Sequence, residues 1–358
     1  MSDVWKKRLV TLLKFGISLG IVAWLVVKAA QTKDESGLNV FDRLVSQEKN
    51  WGLLAVATVF CAGAVMLTLI RWWYLVRALD LPLRFRQALR IGFLGYLFNL
   101  APMGIVAGDL LKAWMLSREQ PGQRTKCFAT VIVDRLIGLY VLFVVATVAI
   151  LLTGFWRLPE PNIRWISMAT FALTALGTLA VGVLLTPALT EGRAARALSR
   201  LPRVGAIIEN AVDAVRTYRG KPGVLAGSML MSVFVHGLFA TGLFFIALGL
   251  PGDHHSLPTH WVVGPLAAAT GVIPLPLGPF EFVLEYLYTH VPAPVLIAAG
   301  QGLVVALAYR LITVLIAAVG VCYYLGSRQE LAEVIHEVEL ESPPPAPPGT
   351  QFAQGLEM

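Results

Sequence analysis

The chain predicts an all-α polytopic membrane protein, with about six transmembrane helices and two opposed re-entrant helical hairpins arranged as an inverted repeat. Three observations carry this expectation. The composition is 56% hydrophobic and only 14% charged, with a mean hydropathy of +0.69, which excludes an ordinary soluble domain. Several apolar runs reach the ~20 residues that a helix rising about 1.5 Å per residue needs to cross a ~30 Å hydrocarbon core. Two further apolar stretches are interrupted by proline and glycine, and they recur in matching positions of the two halves.

The expected spans cover 9–29, 51–76, 127–153, 164–186, 223–250 and 294–325. The first follows Trp5-Lys6-Lys7-Arg8 and runs past Val27 without a small-x-small cleavage site, so it reads as a retained anchor. The broken segments are 88–117 and 261–290. The second contains Thr270-Gly-Val-Ile-Pro-Leu-Pro-Leu-Gly-Pro-Phe-Glu281. Its three prolines and two glycines cannot sit in one straight helix. Bare backbone at membrane depth is tolerated only where protein or a water-filled cavity satisfies it. A helix that enters, breaks over Ile273–Pro279 and turns back with Glu281 near the break meets both conditions.

Charge orients these segments. With a cytoplasmic N-terminus and each broken segment returning to its own side, most of the 29 lysines and arginines fall in cytoplasmic loops. Lys28, Lys33, Arg43, Lys49, Arg157 and Arg164 fall outside. Arg135 and Arg310 remain within spans, and Arg71 counts with the cytoplasmic end of the second span. This positive-inside bias predicts a bacterial-type cytoplasmic (inner) membrane protein with both termini in the cytoplasm. The net charge of +7 is then a topology signal, and no nucleic-acid partner is expected.

The membrane domain is expected over 1–329. A cytoplasmic amphipathic helix at about 193–220 would rest on the anionic leaflet. Residues 330–358 form an acidic and then proline-rich tail, expected to be disordered past about 341. Cys61, Cys127 and Cys322 lack CxxC spacing and read as packing residues. His254, His255 and His260 read as part of a solvated outer loop, with no metal or other cofactor expected.

The two halves share three marks. Ala78-Leu-Asp-Leu-Pro82 matches Ala247-Leu-Gly-Leu-Pro251. Pro102 precedes Asp109 as Pro274 precedes Glu281, and Arg135-Leu-Ile137 matches Arg310-Leu-Ile312. Their order and nearly constant offset define repeats at about 51–153 and 223–325, which the predicted topology places in opposite orientation. Inverted repeats with interrupted helices in matching positions point to a transport site near the midplane.

An ionisable group within a span costs ~2.5–3.5 kcal/mol on insertion scales and marks a functional, inward-facing position. Asp109 and Lys112 lie three apart on the return arm of the first hairpin. Glu281 and Glu285 lie four apart on the second, so each pair shares a helix face. Asp134 and Arg135 lie in the third span and Arg310 in the last. Asn99 at the first break satisfies freed backbone or touches a ligand. His236, alone in the fifth span, reads as a hydrogen-bonded core residue. Two readings stay open. In one, Arg135 pairs with Asp109 and Arg310 with Glu281 simply to tie hairpins to spans. In the other, the arginines bind an anionic head group through their planar forks while the carboxylates exchange partners.

No P-loop, HExxH, GxSxG or DG-x2-AR motif is present, so transport is expected rather than catalysis. A membrane-embedded glycosyl- or aminoacyl-lipid transferase would gather acids at one water interface. A non-transporting partner subunit of a lipid synthase would tolerate neutral substitutions at the breaks.

These residues resemble the flippase-like membrane domain of lysylphosphatidylglycerol synthases and its stand-alone relatives. Asn99-Leu-Ala-Pro102 with Gly108-Asp-Leu-Leu-Lys112 is similar to that family's first motif. Asp134-Arg-Leu-Ile-Gly138 is similar to its acid-Arg motif. Gly271-Val-Ile-Pro274 with Glu281, and Tyr309-Arg310, are similar to its late motifs. The family's double glycines appear here as Val106-Ala107-Gly108 and Leu277-Gly278-Pro279. The resemblance covers about residues 5–325. It implies movement of a lipid or lipid-linked head group between leaflets, with a membrane lipid as substrate and a lipid-synthesising enzyme as possible partner. No soluble aminoacyl-transferase domain follows in the sequence, so lipid lysinylation by this chain alone is not expected.

Overall fold

The computed structural model describes residues 3–33, 37–100, 105–185, 213–273, 275–293 and 297–326. Among them every regular element is a helix, and six helices are long and apolar enough to cross a membrane. The chain is an all-α, multi-pass membrane protein. Its outer surface fits a lipid solvent, with Leu12, Leu152 and Leu179 exposed by 68%, 83% and 66%, where water would disfavour them.

The six long helices are α1 (Asp3–Gln31), α3 (Trp51–Ala78), α6 (Arg124–Thr153), α7 (Pro161–Leu185), α8 (Pro222–Gly249) and α11 (Gln301–Gly326). Local chemistry sets their ends. Asn50 accepts a hydrogen bond from Leu53 N at 3.1 Å and caps α3. Gly154, at φ 70°, closes α6 in the left-handed region. Pro161 and Pro222 open α7 and α8 at the position where a missing N–H leaves no bond unmade. The last span starts at Gln301 rather than at 294. Gly300 turns the chain at φ 92°, and the Glu285 carboxylate accepts from Gly300 N and Leu303 N at 2.6 and 2.9 Å. A short helix, α2 (Val40–Ser46), bridges the first two spans, capped by Asn39 and Asp42.

Four shorter helices fill the two broken segments: α4 (Phe85–Leu100), α5 (Ile105–Glu119), α9 (Leu257–Ala269) and α10 (Pro279–His290). They have 16, 15, 13 and 12 residues, or about 24, 22, 20 and 18 Å at 1.5 Å per residue. None reaches across a ~30 Å core alone. In the first pair Gly108 N donates to Asn99 Oδ1 at 3.1 Å, and Arg90 reaches Glu119 at 3.4 Å. Such a pattern is made only by antiparallel helices. Their crossing is so close that a Cβ on Gly108 would collide with Gly95 O, which is why both positions are glycine.

The centre of the molecule is the antiparallel pair α3–α8. Gly242 lies against Cys61, Gly63 faces Leu238, and Gly249 sits on Leu54. Small residues bring the backbones together where no hydrophobic force distinguishes helix from lipid. Around this pair the packing of the two halves corresponds. Helix α5 packs on α6 as α10 packs on α11, and α6 packs on α9 as α11 packs on α4.

Two sequence expectations fail here. Arg71 is not at a cytoplasmic edge but inside α3, 4% exposed. His255 and His260 are buried, not solvated. His255 Nε2 donates to Tyr288 O at 3.0 Å, and His260 Nδ1 donates to Ser256 O at 2.9 Å, leaving Nε2 to accept from the Tyr288 hydroxyl at 2.5 Å. Tyr288, distant in sequence, supplies the partners that make burial affordable. Of the expected cytoplasmic amphipathic helix, 193–212 lie outside the described residues. Residues 213–218 are helical, and Tyr218 donates its hydroxyl to Leu75 O at 2.9 Å. The tail also lies outside them.

Candidate functional site

The charged residues of the two halves form corresponding ion pairs. On α5 and α6, Arg135 Nε donates to Asp109 Oδ2. On α10 and α11, Arg310 Nε donates to Glu281 Oε1 at 2.6 Å. Glu281 also accepts from Gly278 N at 2.7 Å, so its second oxygen caps α10. Gly278 adopts φ 105°, which a side chain would disfavour. A carboxylate enclosed to 0% exposure is sustained because both oxygens are paired.

A third pair escaped the sequence reading. Arg71 Nε donates to Asp134 Oδ1 at 2.8 Å, Nη1 to Ser232 Oγ at 2.6 Å and Nη2 to the Asp134 carbonyl at 3.2 Å. Asp134 therefore serves Arg71, not its neighbour Arg135, and the network ties α3, α6 and α8. His236 adds to it by donating Nε2 to Gly138 O at 3.0 Å. One signal for Arg71 existed: an apolar run extending to Ala78 leaves an arginine two turns inside the span.

Lys112 is 5% exposed, with its ammonium 4.5 Å above the Trp72 ring, a cation–π contact. Glu285 is engaged as the cap of α11 described above. Asn99 satisfies the freed N–H of Gly108. Pro102 and Pro274, expected at the breaks, lie outside the described residues. Among the described residues no group of three His, Cys, Asp or Glu is placed to hold a metal.

A cavity of about 810 Å³ opens between α3, α4, α8, α10 and α11, within the size range of small-molecule sites. Its walls are chiefly aliphatic and aromatic. Arg310, Asn99 and His236 line it, whereas Asp109, Lys112, Asp134, Arg135 and Glu285 do not. Arg310 also stacks over Phe280, 5.5 Å from the ring centre. The structure thus brings Arg310 and Asn99 to one cavity, with Glu281 buried behind Arg310, and leaves Asp109 and Arg135 outside its lining. A smaller apolar pocket of about 290 Å³ lies between α6 and α7.

Six candidate spans, paired charges at the interrupted helices and a mostly apolar cavity define a multi-pass helical membrane protein. Family comparison specifies it further. Residues 11–320 match the lysylphosphatidylglycerol synthase TM region, and the chain belongs to that family, as its motifs had suggested. No curated protein matches it. The family places the chain in a membrane, lipid-related role.

Proposed function

We propose that the protein moves an anionic phospholipid or lipid-linked head group between the leaflets of the cytoplasmic membrane, and that it is a transporter rather than an enzyme. The observation that carries this reading is Arg310 in the wall of the 810 Å³ cavity, with its counter-ion Glu281 enclosed behind it. The guanidinium can receive a phosphate while Glu281 keeps the site neutral when empty. The short pairs α4–α5 and α9–α10 act as hairpins re-entering from opposite faces. The basic loops hold both termini in the cytoplasm. Opposed hairpins on an inverted repeat are the arrangement by which transporters expose one midplane site alternately to each side. Arg135 and Asp109 are then the first half's counterpart, engaged when access reverses. A lipid-synthesising enzyme would supply the cargo.

The test is a leaflet-resolved assay with labelled phosphatidylglycerol in proteoliposomes. Arg310→Lys keeps the charge but removes the bidentate fork, and transport is expected to fall about tenfold, the worth of one charge-assisted hydrogen bond. Arg135→Lys is expected to slow transport as well. Unchanged transport in both variants would sink the site assignment.

A further inference from the structure

We propose that the large cavity selects lipids by a single unshielded phosphate, held by Arg310 together with the phenols of Tyr96 and Tyr309, and that it rejects head groups carrying an ammonium. This rests on the lipid-handling reading above and goes beyond it in naming the cargo class and two binding residues.

The cavity wall presents hydrogen-bond donors that the described residues themselves leave unused. Arg310 is 27% exposed and spends Nε on Glu281. Among the described residues neither of its terminal nitrogens has a partner. Tyr96 on α4 and Tyr309 on α11 both line the cavity, both are half-buried, and among the described residues neither phenol hydroxyl is hydrogen-bonded. The Tyr309 ring is held in place by Phe239 and Phe280, at 5.2 and 5.4 Å between centres. Asn99 uses Oδ1 on Gly108 N, and its amide nitrogen remains a donor. Polar groups in an apolar wall are costly unless something pairs with them. What these four can pair with is an acceptor-rich anion, because a phosphate oxygen takes hydrogen bonds from guanidinium, phenol and amide alike.

The exclusion follows from what is missing opposite them. No Asp or Glu is among the described lining residues, and Glu281 is 0% exposed, so an ammonium finds no carboxylate. The aromatic face that adjoins Arg310, itself able to seat a cation, is that of Phe280, and the guanidinium already occupies it. A head group with both phosphate and ammonium would bring its positive charge against the guanidinium. The aliphatic remainder of the wall suits glycerol and the first part of an acyl chain.

The test is competition binding to the full-length protein in detergent, with fluorescent short-chain phosphatidylglycerol as the probe. The competitors are dihexanoyl phosphatidylglycerol, dihexanoyl phosphatidylethanolamine, lysylphosphatidylglycerol and inorganic phosphate. Phosphatidylglycerol is expected to compete at least about tenfold better than either ammonium lipid. The Tyr96→Phe/Tyr309→Phe double variant is expected to lose about tenfold in phosphatidylglycerol affinity, the worth of about one hydrogen bond to a charged acceptor, with its thermal transition unmoved. Equal competition by the ammonium lipids, or wild-type affinity in the double variant, overturns the proposal. Phosphate competing as well as the lipid does too, since it would mean a free-anion site. Selective binding without leaflet transfer in vesicles would instead defeat the transport reading and leave this one standing.

Discussion

Asp109–Arg135 and Glu281–Arg310 are the same chemistry at corresponding places, yet their surroundings differ. In the second half the carboxylate is 0% exposed and its arginine 27%. In the first half the values are 14% and 49%. The second pair presents its arginine to the large cavity, whereas the first lies beside the buried Arg71–Asp134–Ser232 network and Lys112 over Trp72. The difference teaches a division of labour. The first half spends its buried charge on fastening α3, α6 and α8 together, and the second presents a guanidinium to a cavity.

Substitutions rank this contrast, with thermal or denaturant unfolding in detergent as the readout. Asp134→Ala should do most harm, because it strands Arg71 in the core. Removing one partner of a buried pair costs about 3–5 kcal/mol, so a large drop in transition temperature is expected. A small drop would mean that Ser232 and the Asp134 carbonyl suffice for Arg71. Glu281→Ala should come next, near the lower end of that range, since Arg310 can turn toward the cavity while α10 loses its cap. Stability equal to wild type would show that the pair is not a fastening at all. For Glu285→Ala the expected loss is about 0.5–2 kcal/mol, the value of a helix cap, appearing as earlier loss of helical signal from α11. Smallest is Asp109→Ala, where half-exposed Arg135 finds other solvation and about 0–1 kcal/mol is at stake. If Asp109→Ala proved as damaging as Glu281→Ala, the division of labour between the halves would fall.

Much of this could be read from residues in order. Spans, breaks and helix ends depend on local composition, and five of the six spans begin and end within a few residues of expectation. The sixth starts late because Glu285, reaching from α10, caps it at Gly300, a partner no local window contains. The histidines misled for the same reason. His255 and His260 look solvated beside Asp253, and Tyr288 makes them core. Asn99 was open between backbone and ligand, and its bond to Gly108 N gives it the first role while it still lines the cavity.

The sequence by itself determined that this chain lives in a membrane, where it is interrupted and which charges recur in its two halves. Those properties follow from apolar length, from the backbone limits of proline and glycine, and from the cost of charge in lipid, all carried along the chain. Only the tertiary structure decided that Asp134 answers Arg71 rather than Arg135, that Glu285 is a cap, and that Arg310 shares a cavity with Tyr96 and Tyr309. Side-chain partnership depends on which helices meet. In the closely packed interior of this protein, a meeting of helices such as α3 with α8 rests on glycines and small residues that carry no label for their partner.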